Sequence, residues 1–534
     1  MKLKVLFQIT FFLFSFGLYY AQNLPKTFSL EKSSLNKIND ENPTSNSIND
    51  IIATGDTVWL ATSRAVSKST DRGISWINYY GSQVFGSESS SGIAYKNGIL
   101  AASTAHSIEK DNTSYPEGSG LRLTTDGGTT WISIPQSVDA PGDSVIIYGI
   151  NRVRALPVTV AINNISYDVA LTSKYIWTAN FAGGLRRVLI DSILTNKNTK
   201  WERIVLPSDN VNTISPEDTI KFALQPVAGN FGPEGYLNHR VFSVVTIDDN
   251  NIIVGTAGGI NISTDGGSSW KKVNHQNQIQ PISGNFVVAL GYNQVSKTIW
   301  GATWMAEAQS EFNAVSYSTD FGESWQTTLT DEKCHGFGFK KQDILAATDN
   351  GMFRSENTGT SWILPTTIID SKTQVALTTN IFYSAASEGN DIWLGSDAGL
   401  AKLTETGNIW EGEWKVYLAS KVLSTQTETY AYPNPFSPDA EIIKIKYSTG
   451  GKRKSVTIRI LDFGMNLVRT VIQNAERGDE IHTVDGFNGV SNSGVIDYWD
   501  GKDEFGRIVP NGVYFYRIDF DSGDPLFGKI MVLM

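Results

Sequence analysis

The chain holds one cysteine, Cys334, in 534 residues. No intramolecular disulfide can form, and a cysteine-rich zinc site is excluded. With no cysteine after the N-terminal apolar run, a lipid-anchored N-terminal cysteine is not expected either. Histidine is scarce as well: His106, His239, His275, His335 and His482 are scattered, with no H-x3-H or H-E-x-x-H spacing. No metal and no cofactor are expected. Basic clusters are missing too. The formal net charge is −10, from 44 Lys and Arg against 54 Asp and Glu, without a long basic run. A nucleic-acid groove needs clustered cations to displace counterions, so nucleic acid is not an expected partner.

Long apolar runs are confined to the N-terminus. Lys2 and Lys4 precede an apolar stretch from Val5 to Tyr20, and Ala21 offers a small residue for cleavage. That is the layout of a secretory signal over residues 1–21. The run is short for a spanning helix, and nothing later replaces it. The mature chain is therefore expected to lack a transmembrane span and to be secreted or held at the outer cell surface.

What is present is glycine, aromatics and repetition. Glycine numbers 48, aromatics reach 11%, and short apolar strands alternate with glycine turns, which predicts an all-β chain. The stretch "STDGGSSW" (Ser263–Trp270) recurs as "STDRGISW" (Ser69–Trp76), "TTDGGTTW" (Thr124–Trp131) and "STDFGESW" (Ser318–Trp325). A fifth copy, "SENTGTSW" (Ser355–Trp362), carries Asn357 in place of the aspartate. Upstream lies a second repeat, an apolar strand ending in small residues. Its seven copies start at Val58, Ile99, Ile176, Ile252, Ile299, Ile344 and Ile392. Four short strands per unit, repeated in this way, predict a seven-bladed β-propeller over residues 48–420, after a lead-in at 22–47.

The pattern S/T-x-D-x-G-x-x-W resembles the Asp-box (BNR) repeat of sialidase-like, sortilin-like and xyloglucanase-like propellers. The aspartate can accept hydrogen bonds from amides the turn leaves unpaired, glycine supplies a positive φ, and tryptophan opens the outer strand. Asp71, Asp126, Asp265, Asp320 and Asn357 are accordingly read as turn residues. Spread around a ring, they cannot converge on one catalytic centre, and no catalytic residue is assigned.

Long insertions fall on the opposite face, in strand-2/strand-3 loops and links between blades. There lie Glu109, Tyr115 and Glu117 (loop Thr104–Gly120), Trp304, Glu307 and Glu311, and Tyr236 and His239. Aromatics beside carboxylates suit a glycan or protein ligand, and the same residues equally describe solvated loops packed on a rim. A non-catalytic binding propeller is the leading expectation. The alternative is a glycoside hydrolase acting on extracellular glycans. Against a sialidase, no F/Y-R-I-P motif occurs near the first unit, and the nearest relative, "YRID" at Tyr516, lies far downstream.

After a polar linker at 421–431 the pattern changes. Alternation in "VTIRIL" and "VYFYRI" predicts a small β-sandwich over 432–534. "YPNPFSP", "ILDFGMNLVRTV", "YWDGKDEFGRIVPNGVYFYRI" and "KIMVLM" resemble the FlgD-like immunoglobulin-type domain. That resemblance, from Tyr430 to Met534, implies a C-terminal sorting domain engaging secretion machinery, commonly of type IX. The tail departs from type IX signals in having only Lys529 as a late basic residue. "DGKDEFG" (Asp500–Gly506) lacks the full EF-hand pattern and is read as a plain turn.

Overall fold

The computed structural model describes residues 26–29, 39–40, 42–195, 199–224, 235–306, 310–372, 375–377, 379–419, 427–432, 434–439, 442–478, 481–483, 490–492 and 495–534. The leader expected at 1–21 lies outside them. Among the described residues strands dominate, and seven antiparallel sheets of three to five strands succeed one another from Ile48 to Tyr417, with a two-stranded ladder, Val145–Tyr148 against Asn151–Arg154, between the second and third. Their first strands are Ile48–Thr54, Ile93–Lys96, Ser166–Leu171, Val241–Thr246, Phe286–Asn293, Cys334–Lys340 and Phe382–Glu388. Each first strand packs beside the next, and the last packs beside the first. This is a β-propeller.

The sheets depart from a uniform four strands. The first, second and fourth gain an outer fifth strand from Asn39–Asp40, Lys26–Ser29 and Thr213–Ile214. The sixth has three, because only the bridge between Arg354 and Ile363 extends it. Pro365 follows two residues later and has no N–H to continue a ladder. The stretch expected as a loop at Thr104–Gly120 is instead a hairpin, Ile99–Lys110 paired with Thr113–Thr124. Its turn residues Asp111 and Asn112 both have positive φ (52° and 58°), the geometry of a two-residue hairpin turn.

All five S/T-x-D/N turns share one hydrogen-bond pattern. In the fourth sheet the Ser263 hydroxyl donates to Asp265 Oδ1 at 2.8 Å and accepts the Gly267 amide at 2.9 Å. The Ser269 amide donates to Oδ1 at 2.9 Å and the Ser269 hydroxyl to Oδ2 at 2.5 Å. Asp71, Asp126 and Asp320 repeat this with Ser75, Thr130 and Ser324, while Asn357 accepts the Ser361 amide but donates its own side-chain amide to the Ser361 hydroxyl at 2.8 Å. Partial burial opposes the Asp265 charge, but the Ser269 and Ser263 donors outweigh it and hold the carboxyl below its usual range. For Asp320 the Ser324 hydroxyl leads and the pKa falls to about 2.

The turns also form the seams between sheets. The glycine before each pair of polar residues is the floor on which the preceding sheet rests a large side chain. A Cβ at Gly267 would stand 2.6 Å from the Trp177 ring, and one at Gly128 3.1 Å from Trp59. Gly359 meets Trp300 at 3.2 Å, and Gly73 of the first sheet meets Trp393 of the seventh at 2.5 Å. Those tryptophans sit in the second strands and are fully buried. One edge of the ring therefore closes by the same fit as the others, without strand exchange. Arg72 adds a fork onto Asp391 at 2.7 and 2.9 Å, and Lys402 approaches Asp391 at 3.0 Å.

From Thr429 to Val532 two further sheets face each other. One holds Thr429–Tyr432, Ile443–Tyr447 and Val495–Trp499, the other Leu467–Arg477, Lys454–Leu461, Gly512–Phe520 and Leu526–Val532. Alternate residues, among them Ile443, Ile445, Ile458, Ile460, Trp499, Tyr516, Ile518 and Ile530, fill the space between them. In the turn at Asp500–Gly506, Asp503 accepts the amides of Phe505 and Arg507, both at 2.9 Å. No helix among the described residues is long and apolar enough to cross a membrane.

Candidate functional site on the face where the first strands begin

In every first strand but the second, the register slips after the first residue or, in the fifth sheet, after the second. The skipped residues are Asn49, Tyr167, Phe242, Val288, His335 and Tyr383. A bulge leaves its extra residue out of the ladder and re-aims its side chain. Here the re-aimed residues gather at the opening of the ring, on the face that also carries the strand-2/strand-3 loops.

Together with their neighbours they make an aromatic arc. Tyr167 lies 6.0 Å from Phe181 and 5.9 Å from Phe242, ring centre to ring centre, and Phe242 lies 4.5 Å from Phe286. Phe286 stands directly opposite Trp304 in the fifth sheet, so the two rings share one side of it. Trp304 meets His335 edge-on at 5.4 Å, and His335 meets Tyr383 at 5.3 Å. The arc thus runs from the third sheet to the seventh. Two of its polar atoms are engaged: the Trp304 indole N–H donates to the Cys334 carbonyl at 3.0 Å, and His335 Nε2 lies 2.7 Å from Asp349.

Below the opening, the residue after the bulge ties neighbouring first strands together. Asp50 accepts the Ile93 amide at 3.0 Å, Asp168 the Val244 amide at 2.8 Å, and the Ser243 hydroxyl the Leu290 amide at 3.1 Å. Burial pushes the Asp50 carboxyl up to about 7 against the pull of the Ile93 amide, with Asp168 adding repulsion. Burial raises Asp168 as well. Both oxygens of each carboxylate already accept backbone amides, so these aspartates are cross-links. The folded chain holds its Asp50 proton where the unfolded chain has lost it. Stability should therefore fall as pH rises from about 4 to about 7. Urea midpoints across that window should flatten in Asp50→Asn, and an unchanged slope in the variant would remove Asp50 as the cause.

The residues singled out from sequence are placed unevenly. Trp304 is in the arc. Glu109, Tyr115 and Glu117 lie on the projecting hairpin, where His106 is 3.3 Å from both Glu88 and Glu117. Tyr236 is only 6% exposed and stacks on Phe222, and Glu311 is 4% exposed and accepts the Ala306 amide at 3.4 Å. Neither offers a surface to a ligand. His239 is half-buried with Nδ1 2.5 Å from the Tyr236 carbonyl, and burial lowers its pKa. Glu307 lies outside the described residues. Among the described residues no group of three or more His, Cys, Asp or Glu could hold a metal ion. Tyr167, Phe181, Phe242, Phe286, His335 and Tyr383 escaped sequence reading. The available signal was the second position of each first strand, visible on stacking "SYDV", "VFSV", "CHGF" and "FYSA".

The architecture has counterparts among solved structures. YCF48 from Cyanidioschyzon merolae aligns over 71% of this chain and 97% of its own at 15% identity and TM-score 0.40. The WD40 β-propeller domain of Doa1 covers 70% of this chain and 94% of its own at 11% identity and TM-score 0.35. PorZ, a surface component of the type-IX secretion system of Porphyromonas gingivalis, covers 91% of this chain and 87% of its own at 11% identity and TM-score 0.21. No family model and no curated protein matches the chain. With every TM-score below one half, the propeller assignment rests on the sheets and seams described above.

Proposed function

We propose that the protein is an exported, surface-attached, seven-bladed Asp-box propeller that binds its ligand without chemistry. The seven sheets are its blades, and the five capped turns its Asp-boxes. The domain from 432 to 534 is an FlgD-like immunoglobulin-type sandwich that serves secretion or attachment, and residues 1–21 are its leader. The observation that carries the binding role is the arc from Tyr167 to Tyr383. It places a run of aromatic rings, most of them partly exposed, around one opening, while the polar atoms of Trp304 and His335 are bound within the fold.

The hydrolase alternative is not favoured by the carboxylates of this face. Asp349 is held by His335, Glu88 and Glu117 flank His106, and Asp50 and Asp168 are amide-bound cross-links. The mature chain, probed against arrays of extracellular glycans and peptides, should retain at least one class. Tyr383→Ala combined with Tyr167→Ala should abolish that retention without moving the melting transition. Retention that ignores both substitutions, or turnover of an arrayed glycan, overturns the reading.

A further inference from the structure

We propose that the arc takes an acidic polypeptide segment, one in which carboxylates alternate with apolar or aromatic side chains; this rests on the binding reading above. Three cations stand over rings, two of them, Arg240 and Lys333, over members of the arc. Arg64 lies 5.5 Å from the Tyr80 ring centre, Arg240 5.4 Å from Phe181, and Lys333 5.6 Å from Trp304. Arg240 and Lys333 immediately precede the first strands Val241–Thr246 and Cys334–Lys340, and Arg64 lies between Thr57–Thr62 and Val66–Ser69. All three are therefore on the face of the arc. None of them forms an ion pair with a carboxylate among the described residues.

Cations over rings on the other face behave differently. Lys68, over Trp59, donates to the Gly127 carbonyl at 2.7 Å. Arg187, over Tyr175, pairs with Glu202 at 2.8 Å and donates to the Gly266 carbonyl at 3.0 Å. Lys402, over Trp393, pairs with Asp391, and Lys415, over Tyr417, donates to the Gly73 carbonyl at 2.9 Å. There the ring-stacked cations serve the seams. On the arc face the same stacking orients cations that form no ion pair among the described residues, in a chain whose net charge is −10. A guanidinium fixed over a ring loses little further freedom when a carboxylate arrives, and it can bind that carboxylate through two N–H groups.

The rings select polypeptide over acidic glycan. Phe181, Phe242 and Phe286 carry no hydrogen-bonding atom, and the polar atoms of Trp304 and His335 are engaged within the fold. A saccharide brings a hydroxyl at almost every carbon, and between the Tyr167 and Tyr383 hydroxyls at the two ends of the arc most of these would lose water without gaining a partner. Apolar side chains lose nothing of that kind between phenylalanine rings.

The test uses the mature chain and three probes. These are a labelled peptide of alternating aspartate and phenylalanine in a glycine–serine frame, its asparagine counterpart, and polygalacturonate. The aspartate peptide should bind about tenfold more tightly than the asparagine one, and weaken as salt rises from about 50 to about 500 mM. Arg240→Gln, which keeps a planar group over Phe181, should remove most of that tenfold. Lys297→Ala, in an exposed turn on the other face, should leave it intact. Equal binding of the two peptides, or no effect of Arg240→Gln in a chain that melts normally, overturns the proposal. Polygalacturonate displacing the peptide at lower concentration assigns the site to an anionic glycan and also overturns it. A ligand from the arrays that needs Tyr383 and Tyr167 but not Arg240 sinks this inference alone. If no ligand needs the arc, both readings fall.

Discussion

Gly267→Ala is expected to destabilise the propeller by about 3 kcal/mol, well beyond the effect of deleting the aspartate two residues earlier. Two costs combine. Gly267 has φ +85°, a conformation an L-residue adopts at about 1–2 kcal/mol. Its new methyl would also stand 2.6 Å from the Trp177 ring, a closely packed side chain with no free volume to retreat into. Asp265→Ala removes acceptors from the exposed Ser268 and Ser269 amides, which water can replace, so about 1 kcal/mol is expected. Chemical denaturation of both variants tests the ranking. A Gly267→Ala loss no larger than that of Asp265→Ala would falsify the seam as the turn's main contribution.

Asp391→Ala should cost about as much, by a different route. Asp391 is 3% exposed and receives Arg72, Lys402 and the Thr404 hydroxyl, the last at 2.7 Å. Arg72 is half exposed and gives little, since water screens its charge. Lys402 is 14% exposed, and removing the carboxylate leaves its ammonium, close to the Trp393 ring, with the Arg72 carbonyl at 3.0 Å but no counter-charge. Breaking a largely buried pair from one side costs about 3 kcal/mol. Burial opposes the Asp391 charge, but the Thr404, Lys402 and Arg72 donors outweigh it, and the carboxyl is held low. A depressed carboxylate stabilises above its unfolded pKa, and that stabilisation is lost as pH falls through the folded value. The gap between wild type and variant should therefore be full near neutrality and shrink in acid. A gap constant with pH would show that packing, not charge, closes this seam.

Much of the ring was legible because its units repeat. Seven second strands and five turns gave the period, and the turn chemistry follows from the residue types alone. The seam did not, because a glycine and a tryptophan far apart in sequence look unrelated until two sheets meet. Gly73 and Trp393 come from opposite ends of the propeller sequence, yet a Cβ on Gly73 would stand 2.5 Å from the Trp393 ring. The arc was legible only in part. Trp304 stood in a long insertion and drew attention, whereas His335 and Tyr383 sit in what reads as ordinary strand. Alternation gives the wrong face for a residue skipped by a bulge, since one extra residue inverts the pattern. Tyr236 and Glu311 show the reverse error: insertions carry residues that turn inward, and length alone does not expose a side chain.

The bulge gives the ring a property of its own. A skipped residue stands outside the ladder, and where it is also only partly buried, as at Tyr167, His335 and Tyr383, its identity can change with less effect on the sheet around it. Asn49, Tyr167, Phe242, Val288, His335 and Tyr383 hold six such places around one opening. They differ in size, charge and polarity although the strands that carry them are alike. The composition of the mouth is thereby partly separated from the packing of the seams, and a lineage could rewrite such positions one at a time without reopening a seam.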